Sequence, residues 1–487
     1  MISLQKNRLI QMLYVAVLCL LVSCGGQNSE GGSAASEGAL DNDVVDEAEG
    51  DSNPAESVSS ALALGTSVNV LLIVGDDIGV DIISGYQEQP NYSAQTPTLD
   101  SLSKEGVLFR NVWANPMCSP SRAGLLTGRY AIRHGVTSPG SENSALDHSE
   151  TTLPEMLSEA NIKSALFGKW HLGRGLGNYP TEHGFDYYSG SISNIDDYFN
   201  WVKTTIAFPG AEAEEIDESG YATEVVAKEA ALWISEQTSP WFVQVSFNAP
   251  HSPYHVPPSY AYSSDYHLEG EEGDMCTSSI LNDDAASCYR AAAEAMDFYI
   301  EQLLSTISAS VLSDTVIIFV GDNGTPGGVV IEESHLPFSQ DHGKRTMYEG
   351  GVNVPMIIWG GENTGIDASE VQALVSIQDV YSTVLALVGL PQPSGVNIDG
   401  FSLMAYLDNE SSVSLRRQTQ YSELKNIEDD LDRWAISNGD VKYINNEGME
   451  ECYQLSVDPS ESANLYFSSN EVAELCDQLI LMRPLAD

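Results

Sequence analysis

Two apolar segments that end in the same kind of short polar sequence constrain the fold of this chain more than any other feature. Residues 68–79 read VNVLLIVGDDIG, and residues 314–325 read DTVIIFVGDNGT. Continuous apolar runs of this length are typical of strands covered on both faces. Helix-like segments lie between them, and a third run, WFVQVSFNAPH at 241–251, also ends in polar residues. The alternation predicts an α/β fold with ligands at the carboxyl ends of its strands.

The polar ends of the first two strands suggest a metal site. A single Asp after a strand is usually a helix cap or a turn former. Here Asp76 and Asp77 follow one strand, and Asp322 and Asn323 follow the other, which offers three carboxylates and one amide oxygen. Oxygen ligands suit a hard cation, and the absence of His and Cys at both ends argues against structural zinc. We expect Ca²⁺ in preference to Mg²⁺.

The first residues have the features of an export signal. Lys6 and Arg8 precede a short apolar run that ends at Leu-Val-Ser before Cys24. Residues 1–23 therefore resemble a bacterial lipoprotein signal, with cleavage before Cys24 and lipid attached to its thiol. The alternative is an ordinary cleaved signal that happens to end near this cysteine. Either interpretation places the protein outside the cytoplasm, in the periplasm or at the cell surface, and the first anchors it to a membrane by lipid alone.

A tether is predicted after the signal. Residues 24–62 are rich in Gly, Ser, Asp and Glu and contain no aromatic residue. Such a composition cannot bury enough apolar surface to order itself. The whole chain has 70 acidic and 21 basic residues, for a net charge of −49. We therefore expect no nucleic-acid partner, because such a surface repels polyanions.

Cysteine usage leaves one thiol over. Besides Cys19 in the signal and Cys24, five cysteines remain. In an oxidising compartment Cys276 with Cys288, and Cys452 with Cys476, can close two short loops, although sequence alone does not fix the connectivity. On this pairing Cys118 is unpaired. A lone thiol outside the cytoplasm suggests chemistry or modification at that position.

The segment around Cys118 carries a specific resemblance. CSPSRAGLLTGR at 118–129 resembles the signature of the formylglycine-dependent sulfatases of the alkaline-phosphatase superfamily. The second hallmark of that family is matched by GKWHLG within 161–173, although Asn161 and Ile162 stand where Gly-Tyr is usual. Further similar segments are NAPHSPY at 248–254, HGKRTMYEGGVNVP at 342–355 and CYQLSVDPSESANLY at 452–466. Asn353 departs from a frequent Arg, which puts a supporting ion pair in question.

The resemblance implies a role for each matching residue. A maturation enzyme would oxidise Cys118 to Cα-formylglycine (3-oxoalanine), an aldehyde whose hydrate accepts sulfate and then releases it without a second attack at sulfur. One Ca²⁺ would contact residue 118 and the four strand-end residues, and Arg122 would fix the hydrate. The remaining roles are proton removal by His171, proton donation to the leaving oxygen by His251, and sulfate binding by Lys169, Lys344 and His251.

Several of these residues also have simpler interpretations. Lys169 can be a solvated charge at a helix end, and His171 can be a core histidine. Arg345 can be an exposed charge, and we assign His255 to loop structure. The aromatic residues of SISNIDDYFNWVKTT at 191–205 can stack on a sugar ring or lie in the core.

These interpretations define the predicted organisation. We expect a catalytic domain over 63–407, built as a large mixed sheet sandwiched between helices, and a small C-terminal α+β subdomain over 408–487. The predicted reaction is hydrolysis of a sulfate monoester, with a sulfated carbohydrate as the expected substrate. The alternatives are a phosphodiester or phosphonate monoester hydrolase of the same superfamily, and a non-catalytic surface lipoprotein that binds sulfated glycans.

Overall fold

A computed structural model describes most of the chain after the predicted tether. It covers residues 67–486 except 88–92, 140–144, 176, 239, 267, 269, 277–283, 331–337, 409–416 and 427–430. The predicted signal, Cys24 and the tether lie outside the described residues. The predicted boundary between residues 407 and 408 stays a prediction, because the chain just after it is not described. Within the described ranges, no helix combines the length and the apolar character needed to cross a bilayer.

A ten-stranded mixed sheet forms the centre of the fold. Its spatial order is β10-β2-β9-β8-β1-β7-β3-β4-β5-β6. The five strands from β8 to β4 run parallel, whereas β9, β5 and β6 each pair antiparallel to their neighbours. The predicted large mixed sheet is therefore confirmed. The strands are β1 (Asn69–Gly75), β2 (Val107–Trp113), β3 (Lys163–Gly168), β4 (Tyr187–Gly190), β5 (Trp201–Ile206), β6 (Glu214–Glu218), β7 (Trp241–Ser246), β8 (Thr315–Gly321), β9 (Met356–Gly360) and β10 (Ser369–Ser376).

Helices cover both faces of this sheet, as predicted. Alternate residues of β1 enter two different apolar cores: Val70, Leu72 and Val74 face one side, and Leu71 and Ile73 face the other. This two-sided burial explains why the sequence of the strand is continuously apolar. The helices are α1 (Pro97–Glu105), α2 (Cys118–Thr127), α3 (Ala131–His134), α4 (Leu153–Glu159), α5 (Ala222–Ser235), α6 (Asp284–Thr306), α7 (Ala309–Leu312), α8 (Glu349–Val352), α9 (Asp379–Leu387), α10 (Met404–Leu407) and α11 (Asn470–Ile480).

A small α+β subdomain at the C-terminal end confirms the second part of the fold prediction. Its antiparallel sheet has the order β11 (Gln420–Asn426), β12 (Leu431–Ser437), β13 (Val441–Asn446) and β14 (Met449–Gln454), and α11 packs against it. The side chain of Gln420 donates to Asn111 O at 2.8 Å and to Val375 O at 2.7 Å. These bonds join the small sheet to the edge of the large one. The structure pairs Cys452 with Cys476 here.

Candidate active site

The carboxyl ends of β1 and β8 meet at one edge of the large sheet. The two strands are parallel neighbours, and Gly75 lies opposite Gly321. Asp76 and Asp322, the next residue of each strand, therefore lie side by side, and both are fully buried. The backbone N–H of Asp77 donates to Asp322 Oδ1 at 3.0 Å, and Asn323 Nδ2 donates to Asp77 Oδ1 at 2.9 Å. All four predicted strand-end residues thus belong to one cluster.

Helix α2 brings Cys118 and Arg122 to this cluster. Cys118 is the first residue of the helix, Pro120 lies in its first turn, where a missing N–H costs little, and Gly128 ends it in the left-handed conformation. Arg122 lies one turn after Cys118 and is equally buried. Its Nη2 lies 2.8 Å from Asp322 Oδ2, and its Nη1 donates to Lys169 O at 3.0 Å. The helix therefore presents a thiol and a guanidinium to the same carboxylates.

Two lysines complete the ring of charges around the carboxylates. Lys169 follows β3, is 0% exposed, and its Nζ lies 2.5 Å from Asp76 Oδ2. The alternative in which Lys169 is a solvated charge is therefore wrong. Lys344 Nζ donates to Asp77 Oδ1 and lies 3.9 Å from Cys118 Sγ. Arg345, the next residue, is exposed.

The two predicted catalytic histidines lie at the rim of this cluster. His251 Nε2 is 3.7 Å from Asp77 Oδ2, and its Nδ1 is 2.6 Å from Ser252 O. His171 adopts a left-handed backbone conformation with φ of 61°, and Ser119 Oγ donates to its carbonyl oxygen at 2.8 Å. Nδ1 of His171 is buried and has no hydrogen-bond partner among the residues that the structure describes. Both imidazoles are thus placed by backbone contacts, with a ring nitrogen left for other partners.

Burial and charge set the protonation of these groups. Burial disfavours the ionised form of Asp76, but Lys169, His251 and Arg122 outweigh it and hold its pKa well below the ordinary value. Burial, together with the charge of Asp76, raises the pKa of Asp322 to about 6. Burial also lowers the pKa of His171 and of His251, so both imidazoles are neutral near pH 7. Neutral His171 is the form that can accept a proton.

The donor set fits a hard divalent cation. Asp76 Oδ1 and Asn323 Oδ1 are buried, and within the described ranges neither has a hydrogen-bond partner; Arg122 Nη2 is 3.8 Å from Asp76 Oδ1. Ligand atoms of Asp76, Cys118 and Asp322 all lie within 4.8 Å of one another. Unpartnered buried oxygens are costly unless a cation or water satisfies them. Oxygen atoms from three carboxylates and one amide match the preference of Ca²⁺.

The structure also identifies supporting residues that the sequence reasoning missed. The Tyr198 hydroxyl lies 2.6 Å from Asn248 O and 2.8 Å from His251 O, so it positions the loop that carries His251. The Tyr289 hydroxyl, on α6, donates to Asp77 O at 2.5 Å. Tyr198 and Trp201 are buried in the core, so they do not form a wall for a sugar ring. A tyrosine in an apolar helix carries no sequence signal for these distant contacts.

The other predicted residues also have defined places. His255 is buried, and its ring nitrogens face Pro253 O at 3.0 Å and the Tyr221 hydroxyl at 3.2 Å, in agreement with a structural assignment. Cys276 is bonded to Cys288, and Cys118 is the free cysteine among the described residues. Asn353, at the position of a frequent Arg, donates to Glu349 Oε2 at 3.1 Å.

Comparison with known proteins agrees with this geometry. The Sulfatase family profile matches residues 68–390, and the profile for the C-terminal part of N-sulphoglucosamine sulphohydrolase matches residues 340–482. Together with the site described above, the first match shows that the chain belongs to the sulfatase family of the alkaline-phosphatase superfamily.

Individual relatives share large parts of the chain. N-acetylgalactosamine-6-sulfatase of Rattus norvegicus is 33% identical over 366 residues, covering 69% of this chain and 65% of the relative. The chain thus spans about two thirds of the length of that relative. Arylsulfatase G of Rattus norvegicus is 29% identical and covers 86% of each chain. A solved structure in complex with D-glucosamine-2-N,6-O-disulfate has a TM-score of 0.67 at 22% identity, covering 85% of this chain and 96% of the other, which supports the fold.

Proposed function

We propose that this protein hydrolyses a sulfate monoester on a sulfated carbohydrate and releases inorganic sulfate. The observation that carries the proposal is the single free cysteine of the described chain, placed in a buried ring of three carboxylates and three basic side chains. Membership of the sulfatase family supports the reaction class. The names of the relatives support the substrate class, because one acts on N-acetylgalactosamine-6-sulfate by its name and another binds a glucosamine disulfate.

Cys118 is the proposed site of modification. Conversion to Cα-formylglycine by a maturation enzyme would supply an aldehyde hydrate as the nucleophile. Arg122, one helical turn away, holds the start of α2 against Asp322 and lies where it can orient that group. The first turn of α2 also directs backbone N–H groups and a partial positive charge towards an anion at residue 118.

Asp76, Asp77, Asp322 and Asn323 would hold one Ca²⁺. That ion supplies positive charge against the sulfate and the nucleophile. Three carboxylates face three basic side chains, so a divalent cation would give the site a positive formal charge. Such a site favours an anionic ester.

The remaining side chains have distinct proposed tasks. Lys169 and Lys344 bind non-reacting sulfate oxygens, since both are held at fixed positions by Asp76 and Asp77. His171 takes a proton from residue 118 in its neutral form, and His251 serves the leaving oxygen, with Lys344 as the second candidate. The proposed location is extracytoplasmic, with a lipid anchor on Cys24.

Mass spectrometry and a substrate comparison test this proposal. The peptide that contains residue 118, from protein produced with its maturation enzyme, should lack the sulfur of cysteine. The same preparation should release sulfate from an aryl sulfate far faster than it cleaves an aryl phosphodiester. Preferred cleavage of the phosphodiester would favour the alternative hydrolase, and binding of sulfated glycans without turnover would favour a non-catalytic binder. An unmodified Cys118 in an active sulfatase would overturn the proposed nucleophile.

A further inference from the structure

A cavity with mixed polar and apolar lining lies beside the candidate active site. It has a volume of about 390 Å³, and one wall is formed by residues 191–196. That wall is hydrogen-bonded to the segment that carries His171. Trp170 N donates to Ser191 O at 3.0 Å, and His171 N donates to Ile192 O at 3.0 Å. Ser191 Oγ also donates to Asn248 Oδ1 at 3.0 Å, in the loop that leads to His251. The wall of the cavity is thus hydrogen-bonded to the two segments that carry His171 and His251.

Arg174 places one positive charge in this cavity, which the carboxylates of Asp196 and Glu215 also line. The residue lies three positions after His171, lines the cavity and is exposed. Its Nη2 donates to Ser193 Oγ at 2.8 Å, which holds the side chain against the wall. Within the described ranges, no carboxylate oxygen lies within 4.0 Å of the guanidinium. In a chain with 70 acidic residues, an arginine that has no carboxylate partner in the described part of the chain is available to an anionic ligand.

The rest of the lining suits a sugar. Asn194, Asp196, Asn200 and Glu215 line the cavity and offer amide and carboxylate groups to hydroxyl or amino groups. The apolar contribution of Trp201 is small, because its side chain is buried. Tyr179, Ile192 and Val202 add apolar surface to the lining. The cavity therefore combines hydrogen-bonding groups with apolar surface, as a site for a sugar ring does.

We propose that this cavity binds the sugar that carries the reactive sulfate, and that Arg174 binds a second sulfate group on that sugar. The proposal rests on the proposed sulfatase function and narrows its substrate to carbohydrates with more than one negative charge. A sulfate presents two oxygens that can accept hydrogen bonds from two N–H groups of one guanidinium. A local positive group also offsets the repulsion that the acidic surface exerts on such a ligand.

Binding to an inactive full-length protein tests the proposal without requiring turnover. The Cys118→Ala variant is titrated by calorimetry with hexosamine 6-O-sulfates and with the same sugars carrying a second sulfate, in the glucosamine and galactosamine series. We expect the disulfated sugar of at least one series to bind about 10- to 100-fold more tightly, the range of a charge-assisted hydrogen bond. Adding Arg174→Gln should remove that preference and change the affinity for the monosulfated sugar less than about twofold.

Matched variants separate the charge of Arg174 from other effects. Lys104→Gln removes one exposed positive charge elsewhere on the surface and should keep the preference. Arg174→Lys should keep part of it, because lysine retains the charge but not the two-pronged geometry. Equal affinity for the two sugars in both series, including no binding of either, overturns the inference. An unchanged preference after Arg174→Gln does so as well. Failure of the sulfatase reaction itself is measured separately, as sulfate release by the matured enzyme.

Discussion

Two regions of this protein each bury a lysine ammonium group beside carboxylates, but the surroundings of the two lysines differ. Lys442, on β13, is completely buried and lies between two carboxylates, 2.9 Å from Glu349 Oε1 and 2.8 Å from Glu461 Oε1. Lys169 is equally buried, but among the described residues its ammonium group has one close carboxylate, that of Asp76. The second oxygen of Asp76 lies 3.8 Å from Arg122 Nη2, farther than the 2.8 Å that separates Lys442 from Glu461. The first lysine joins the small subdomain to the main domain. The second shares its carboxylate with the proposed metal.

The cysteines of the two regions show the same contrast. Cys452 and Cys476 are joined in the core of the C-terminal subdomain, whereas Cys118 is free and lies near Lys344. Buried charges in close ion pairs and cysteines in disulfides hold elements together, whereas a buried carboxylate oxygen with no close cation and a free thiol indicate a ligand or a reaction. The comparison therefore predicts that changes at the junction reduce stability, whereas changes at the site reduce activity.

The largest expected difference in activity and stability is between substitutions of Cys118 and of Cys476. Cys118→Ala should lower sulfate release by about 10⁴-fold or more, because it removes the proposed nucleophile, and should leave the melting temperature nearly unchanged. Cys476→Ala should lower the free energy of unfolding by about 2–5 kcal/mol and leave the turnover of the folded protein intact. Sulfate assays and thermal unfolding of both variants measure these effects. A Cys118→Ala protein with substantial activity would contradict the contrast.

Substitution of the two buried lysines should likewise affect different properties, activity for Lys169 and stability for Lys442. With Ca²⁺ present, Lys169→Met should reduce kcat/KM by about 10²- to 10³-fold, because a group proposed to bind the reacting sulfate is lost. Lys442→Met should leave the buried Glu461 and the partly buried Glu349 without their cation and lower the free energy of unfolding by about 3–5 kcal/mol. Denaturant titration and steady-state kinetics on both variants test the pair. Similar losses of activity in both variants would show that the junction also shapes the site.

A buried acid at the junction predicts the pH dependence of stability. Burial raises the pKa of Glu423 to about 7, although Ile132 N–H and the Tyr421 hydroxyl donate to its carboxylate. Between the ordinary pKa of 4.5 and about 7 the unfolded chain loses this proton but the folded protein retains it. The contribution of Glu423 to stability is therefore present below pH 4.5 and is lost as the pH rises through 7, by up to about 3 kcal/mol.

Comparison with a neutral side chain isolates this contribution. Unfolding free energies of the parent protein and of Glu423→Gln should converge at low pH and change differently between pH 4.5 and 7, with the parent losing more stability. Parallel pH profiles for the two proteins would assign the pH dependence to other groups.

Binding of Ca²⁺ should stabilise the folded protein by a smaller amount, and this stabilisation should depend on the residues of the proposed metal site. A ligand that binds the folded state stabilises it by about 2.7 kcal/mol at 100 times its dissociation constant. Added Ca²⁺ should therefore raise the melting temperature of chelator-treated protein, and Asp322→Asn should reduce or remove the shift. Asp217→Asn, in exposed β6, is the matched control and should keep it. An equal shift in Asp322→Asn would place the responsible ion elsewhere.

Local patterns account for the correct sequence predictions. The two apolar runs predicted buried strands because residues on both faces must be apolar when both faces are covered. Their polar ends predicted a common site because parallel strands end at one edge of a sheet. The motif at 118–129 predicted the family, since its residue types are fixed at short spacing along one helix. Each of these inferences depends on residues that are close in sequence.

Tertiary structure decided the features that depend on distant contacts. Tyr289 is 212 positions from Asp77 in sequence, and Lys442 is 93 positions from Glu349. No local sequence pattern therefore predicts either contact. Whether Tyr198 lines a sugar site or lies in the core, and whether Lys169 is solvated or buried, depended on the elements that cover them. The sequence by itself determined the strands, their polar ends and the reactive segment. The cavity at Arg174 and the partners of each buried charge were decided only by packing, because burial and ion pairing are properties of surfaces that folding brings together.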